Sequence, residues 1–448
     1  MPSRRTVAWL LRKEWRALMA SNAWWLMLIL IGPLAGVSFI SATRTYAELS
    51  AYSGGVGETF SPLLGVWAPT FSACELAAAF LLPFVVIRLV GGDRQTGALK
   101  IELQRPMPAF VRIAIKAVVL LAGWGIATLA PVAGIVLWSI AGGHLHIPEL
   151  FTLMAGHVLN AALTIALASA AAIIADHPAT AAIATLAVTV GTWILNFIAA
   201  VHGGVWARAA EYTPTAMVAE FQHGLVRVSV VLVALGLIGG GLGLASIWIR
   251  LGSSVRQRLA RSAALLVLVS GIVAAGSVAA GSWDLSENRM NSFSRADEKV
   301  LGRISGSLQI TAYLAPEDPR RTDLEQHSIA KLRRVVPDLD VRYVADTSTG
   351  LFEQTAERYG EIHYRLADRE RVSRATTAEG VLEAIYEVIG EEPAGTAGAS
   401  LEDDEDERES VFRGYPLAEP PAGAAAVFYG AWPAVALLAA LRSRRRGS

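Results

Sequence analysis

RLVGGDRQTGALKIELQRPMPAFVRIAIK, residues 88–116, lies between two long apolar runs and joins them by a charged, patterned connection. Its two consecutive glycines, its Asp93-Arg94 pair and its Arg105-Pro106 turn read as an elbow outside the membrane on which another body pushes. Gly97 permits close backbone approach, Pro106 fixes a turn, and Pro108 suits the first turn of the next helix.

Outward from this elbow the chain is membrane-like. It has 448 residues, 53% of them hydrophobic and 17% charged, with a mean hydropathy of +0.43. That is too apolar, in runs too long, for a soluble domain. Formal net charge is zero, so no global field gathers nucleic acid or acidic substrates. Cys74 is the single cysteine, which excludes an internal disulfide and a thiolate zinc or iron-sulfur centre.

Eight apolar segments are long enough to cross a hydrocarbon core, which takes about 20 residues. They fall near residues 23–40, 70–90, 111–140, 153–174, 180–201, 230–248, 263–280 and 422–441. Before the first, Val7, Leu10, Leu11, Trp15 and Leu18 recur at helical spacing with Arg12, Lys13 and Arg16 on other faces. This predicts an amphipathic helix on the membrane surface.

Lys and Arg concentrate at the N-terminal segment, the 88–116 elbow, the 250–261 loop and the 442–446 tail, whereas residues 142–149 have none. The excess marks the cytoplasmic side. Both termini are therefore expected in the cytoplasm and residues 282–421 outside it.

After the seventh segment the character changes. Residues 282–390 alternate strand-like LQITAYL, VRYV and EIHYRLAD with helix-like stretches at 323–335 and 378–390, which predicts a small α/β domain. Residues 391–421 open with a Gly/Ala-rich and then acidic stretch and read as a solvated linker. Their acidic run lacks the glycine of a calcium loop. The resulting division is an interface helix at 1–22, a six-span domain at 23–250 with its elbow at 91–110, and a basic linker with the seventh span at 251–281. The α/β domain at 282–390, the linker at 391–421 and the last span with its basic tail at 422–448 complete it.

Chemical motifs are few. Gly92 to Gly97 is followed by Ala98-Leu99, so the phosphate-binding Lys of a P-loop is missing. His144 and His146 form an H-x-H without a third ligand and read as loop residues. Within the spans, Glu75 is either a functional carboxylate of a pathway or lies within a turn or two of the outer interface, where water reaches it; His157, Asn160 and Asn196 either line a pathway or hydrogen-bond between helices.

Three passages carry a resemblance to the permease subunit of ABC-type exporters of the type-2 class: VAWLLRKEWRALMAS entering the first span, GGDRQTGALKIELQRPMPAFVRIAIK after the second, and YTPTAMVAEFQHGLV (212–226) after the fifth. It spans about residues 5–250; Ala98 stands where Thr is commoner. In addition, SWDLSENRMNSFSRADEKVLGRISGSLQITAYLAPED (282–318) is similar to the opening of the auxiliary component of gliding-motility-type ABC systems, through Asp284, Leu285, Ser286, Arg289, Ser292, Phe293 and Ser294.

The resemblance implies a non-enzymatic transporter subunit in the bacterial cytoplasmic membrane, fused to a shortened auxiliary domain. ATP and Mg would be held by a separate ATPase, the permease would pair with a second copy or a homologue, and this chain would need no cofactor. Contact with that ATPase falls to Arg12, Lys13, Arg16, Asp93, Arg94, Gly97, Arg105 and Pro106. Two other readings stay open. One is an envelope scaffold or motility component in which ATP-driven movement does mechanical work. The other is an outer-surface enzyme, for which Glu75, His144 and His146 form no paired constellation at catalytic spacing.

Overall fold

The structure is a computed structural model that describes residues 4–52, 61–95, 107–202, 204–250, 252–315, 318–344, 358–391 and 419–447. It divides into two compact units, Met1–Glu287 with Arg413–Ser448, and Asn288–Phe412.

The first unit is helical and, among the described residues, holds eight helices long and apolar enough to cross a membrane: Asn22–Leu49, Leu63–Asp93, Ala109–Ile140, Ile147–Ile174, Pro178–Ala199, Val228–Trp248, Val255–Ser277 and Ala426–Ser443. They correspond to the eight apolar segments, so the fold is that of a polytopic helical membrane protein. The first two reach well beyond their apolar runs. The second begins at Leu63, not Thr70, because a π-helical turn at Leu63–Trp67 precedes the Ala68–Leu76 helix, whose first turn takes Pro69. A widened turn leaves room for a proline that has no N–H to donate. A second π turn follows at Ala77–Leu81.

Packing among the first four spans is built on aromatic side chains: Trp67, Trp124, Trp138, Phe39 and Phe71 are fully buried, with Phe428 of the eighth span among them. Trp67 stacks on Phe39 and meets Trp138 edge-on, with ring centroids 5.8 and 5.9 Å apart. The eighth span seats on the first where Gly32 and Gly36 face Trp432 and Phe428, and Trp432 Nε1 donates to Leu28 O at 2.7 Å. The predicted amphipathic helix runs Arg4–Met19 and buries Leu10, Glu14 and Leu18.

Outside the spans, the Pro214–Gln222 helix packs on the fourth span with Phe221 against Gly156. Strand β1 (Leu225–Arg227) follows it and pairs antiparallel with β2 (Ser282–Asp284). Residues 282–287 therefore belong with the membrane unit, and the second unit begins at Asn288 rather than at residue 282.

Among its described residues the second unit holds a four-stranded sheet in the order β4-β3-β5-β6: β3 (Leu308–Ala312), β4 (Leu339–Tyr343), β5 (Ile362–Leu366) and β6 (Arg369–Ser373). β3 and β4 are parallel and joined through helical turns, whereas β5 and β6 form a hairpin. The Ala378–Ile389 helix lays Val381, Ala384, Ile385 and Val388 on Leu308, Ile310, Ile362 and Tyr364. Thr377 caps its start and the left-handed Gly390 (φ 81°) ends it. β6 has no counterpart in the sequence reading, since its RERVS run is mostly charged and its turn at Ala367 (φ 52°) lacks the usual glycine.

Candidate functional site

Two polar centres interrupt the apolar bundle, one at the Asp93 end of the second span and one near its middle, at Glu75. The first is a ring of four charges. Lys116 Nζ, in the third span, contacts Glu14 Oε2 and Asp93 Oδ2, both at 2.7 Å. Lys13 Nζ meets the same two carboxylates at 2.9 and 3.1 Å. Lys116 also reaches the Leu89 carbonyl at 3.4 Å.

Glu14 and Lys116 are almost wholly buried, with 1 and 3% of their side chains exposed, while Asp93 and Lys13 sit at the rim with 18 and 28%. Removing two such charges from water costs several kcal/mol each, about as much as their mutual attraction returns. What the ring supplies without ambiguity is geometry. It ties the Arg4–Met19 helix to the last turns of the second span and the first turns of the third, the two sides of the 96–106 elbow.

Of the residues assigned to this end from sequence, Lys13 and Asp93 are therefore joined directly. Arg12 and Arg16 are exposed, one position or more around the helix from the ring. Arg94 lies in the last turn of the Leu82–Gln95 helix, and Gly97, Arg105 and Pro106 lie outside the described residues.

Sequence reasoning missed Glu14 and Lys116 as site residues. The signal was present: Glu14 interrupts the Leu10 and Leu18 stripe at i±4, and Lys116 lies inside an apolar helix, so each required a buried partner.

The second centre lies near the middle of the second span. Gln222 Nε2, at the end of the Pro214–Gln222 helix, donates to Glu75 Oε1 at 2.6 Å. One turn before Glu75, Phe71 packs on the His157 ring with centroids 5.2 Å apart. His157 is 1% exposed, and neither ring nitrogen finds a hydrogen-bond partner among the described residues. Asn160 follows three positions on, also buried.

Asn196 stands apart from this group. Its Nδ2 donates to Thr215 Oγ1 at 2.6 Å and its Oδ1 accepts from Thr213 Oγ1 at 2.8 Å, which fixes the start of the Pro214–Gln222 helix.

Further out, Glu149 is buried (3% exposed) and accepts from the Glu287 backbone N–H at 2.6 Å. His144 Nε2 meets Glu287 Oε1 at 2.6 Å, and Trp138 Nε1 donates to the His144 carbonyl at 2.9 Å. With β1–β2 pairing and a Leu285 N–H bond to Gly224 O (2.9 Å), these contacts strap residues 282–287 onto the membrane unit. Among the described residues no three His, Cys, Asp or Glu side chains are arranged to hold a metal ion.

No family model, no curated protein and no solved structure matches the chain.

Proposed function

We propose that this chain is the permease subunit of an ATP-driven ABC-type transporter, an exporter, working with a separate ATPase and a second permease copy. The observation that carries the reading is the Lys13–Glu14–Asp93–Lys116 ring. An ATPase closing on ATP transmits movement to membrane helices only through projections that are stiffly keyed to them. The Arg4–Met19 helix is keyed in this way to both sides of the elbow, so a push on either body displaces the ends of the second and third spans together.

The second span is suited to pass such a displacement on. Its π turns at Leu63–Trp67 and Ala77–Leu81 bracket Glu75, and π turns are where a helix changes register most readily. In this reading Glu75, His157 and Asn160 form the polar lining that a substrate meets, and the charged ring faces the cytoplasm.

The test is purification of the tagged chain from its native membrane in mild detergent, with ATP hydrolysis measured on what accompanies it. An ATPase subunit with a P-loop is expected with the native chain. With Asp93→Asn, hydrolysis should persist but lose its response to reconstitution in lipid. Absence of any ATPase, under conditions that preserve other membrane complexes, would overturn the permease reading. The compact, independently cored unit at Asn288–Phe412 would then favour the scaffold or motility-type component.

A further inference from the structure

The Arg4–Met19 helix has a second face that the ring does not use. Lys13 and Glu14 turn inward, while Arg5, Trp9, Arg12 and Arg16 follow one another at spacings of four, three and four and so share one outward stripe. The three arginines are exposed and Trp9 is 49% exposed. Glu14 is the helix's sole carboxylate, and it is buried in the ring. The stripe is thus positive with no neutralising acid on its own element.

A distant part of the chain adds to it. Ser443 Oγ donates to the Met19 carbonyl at 2.9 Å, which brings the end of the Trp432–Gly447 helix to the end of the stripe. That helix contains no acidic residue, and its Arg442 is exposed. The placement is firm, because Trp432 also bonds Leu28 O and seats on Gly32. The guanidinium groups of Arg5, Arg12, Arg16 and Arg442 make no hydrogen bond or ion pair with a described residue.

We propose that this composite face binds the phosphate of an anionic phospholipid. Guanidinium groups hold phosphate oxygens in bidentate fashion, and Arg12 and Arg16, about one turn apart, lie toward the end of the stripe that the Trp432–Gly447 helix with its Arg442 reaches. A lipid is favoured over a soluble anion or an acidic protein by Trp9. An exposed indole set among arginines suits the headgroup layer, where its ring lies among acyl carbons. The helix also lies at the boundary of the spans, since Leu18 reaches Gly123 of the third span. Bound lipid would hold the stripe down and keep the charged ring closed beneath it.

The experiment compares lipid binding by the native chain and by R12Q/R16Q/R442Q, using mass spectrometry of detergent-solubilised protein titrated with phosphatidylglycerol, phosphatidylcholine or inorganic phosphate. The native chain should retain phosphatidylglycerol at least tenfold more tightly than phosphatidylcholine, and the triple variant should lose that preference. Equal retention by the triple variant, or equal retention of the two lipids by the native chain, would overturn the proposal. Displacement of phosphatidylglycerol by inorganic phosphate at matched concentration would overturn it in favour of a soluble-anion site. Should the triple variant fail to fold, R16Q alone is titrated against R16K. Loss of preference in R16Q with retention in R16K supports the proposal, and identical titrations oppose it. None of these outcomes depends on whether an ATPase accompanies the chain.

Discussion

At the scale of single residues, the charged ring behaves as a unit, and its members are not interchangeable. Lys116 touches both carboxylates from the buried side, so Lys116→Met leaves Glu14 facing only the rim lysine. Breaking a buried pair from one side costs about 3–5 kcal/mol. Removing Glu14 as well leaves Lys13 and Asp93 to pair at the rim, and E14M/K116M should recover most of that loss. Thermal unfolding in detergent reads this directly. If the double variant melts as low as Lys116→Met, the ring is not the coupled element described here.

A different residue-scale effect belongs to the second unit. His363 sits between Glu370 (Nδ1 to Oε1, 2.9 Å) and Glu361 (Nε2 to Oε2, 3.3 Å). Hydrogen bonding to His363, joined for Glu361 by Arg374, holds both carboxyls below the ordinary glutamate range. A depressed folded value means that the stabilisation is present above the free-glutamate value of about 4.3 and is lost as pH falls through the lower folded values. Hydrogen exchange in β5 and β6, corrected for its intrinsic pH dependence, should show protection falling as pH drops below the free-glutamate value of about 4.3. E361Q/E370Q should flatten that fall, and an unchanged profile would remove the triad from the account.

At the scale of elements, the seventh span is held by shape rather than by bonds along most of its length. Most of its residues are exposed, and it meets the sixth span where Ile272, Val269 and Leu265 face Gly236, Gly240 and Gly243 and where Gly276 faces Leu232 and Val233. A Cβ on Gly236 or Gly240 would lie 2.9 Å from Ile272 Cγ2 or Val269 Cγ2, respectively. Close approach of this kind is what small residues provide between membrane helices, where no hydrophobic effect drives association. Gly240→Leu should therefore move the seventh span off the sixth. A short thiol crosslinker between Gly243→Cys and Leu265→Cys reports it, since Cys74 is buried and contributes little background. Efficient crosslinking of the native pair and its loss with Gly240→Leu is the expected result; equal yields would mean the seam is held elsewhere.

Element existence was largely legible from sequence, because an apolar run of membrane length has few other uses. Element ends were less so. The apolar run places the start of the second span near residue 70, whereas a π turn at Leu63–Trp67 carries the helix back to Leu63. Thr377 and Gly390 bound the Ala378–Ile389 helix much as their capping chemistry predicts. The site was half legible: Lys13 and Asp93 stood out as loop or surface charges, but Glu14 and Lys116 each acquire meaning only from a partner 102 residues away. The strap at 282–287 was hidden for the same reason, since Glu149 finds a backbone N–H 138 residues on.

At the scale of the whole molecule, the two readings of function differ over what the Asn288–Phe412 unit does. In the transporter reading the motor's movement enters through the charged ring and is used within the spans, so the second unit modulates the outcome but does not receive it. In the scaffold reading the second unit is where the work is delivered. Its own core, centred on Leu308, Ile310, Ile362, Tyr364 and Ile385, shares no buried residue with the membrane unit's cluster, so replacing it should leave the spans intact. A chain in which residues 288–412 are exchanged for a flexible Gly/Ser linker keeps the strap, with Glu149 and His144 still engaging Glu287. Under the proposed function this chain should still purify with its ATPase and still stimulate hydrolysis on reconstitution, to within about threefold of the native chain, or roughly 0.7 kcal/mol in the barrier. Full stimulation without any movement of solute into or out of vesicles, paired with a native chain that also moves none, would instead place the output in the deleted unit.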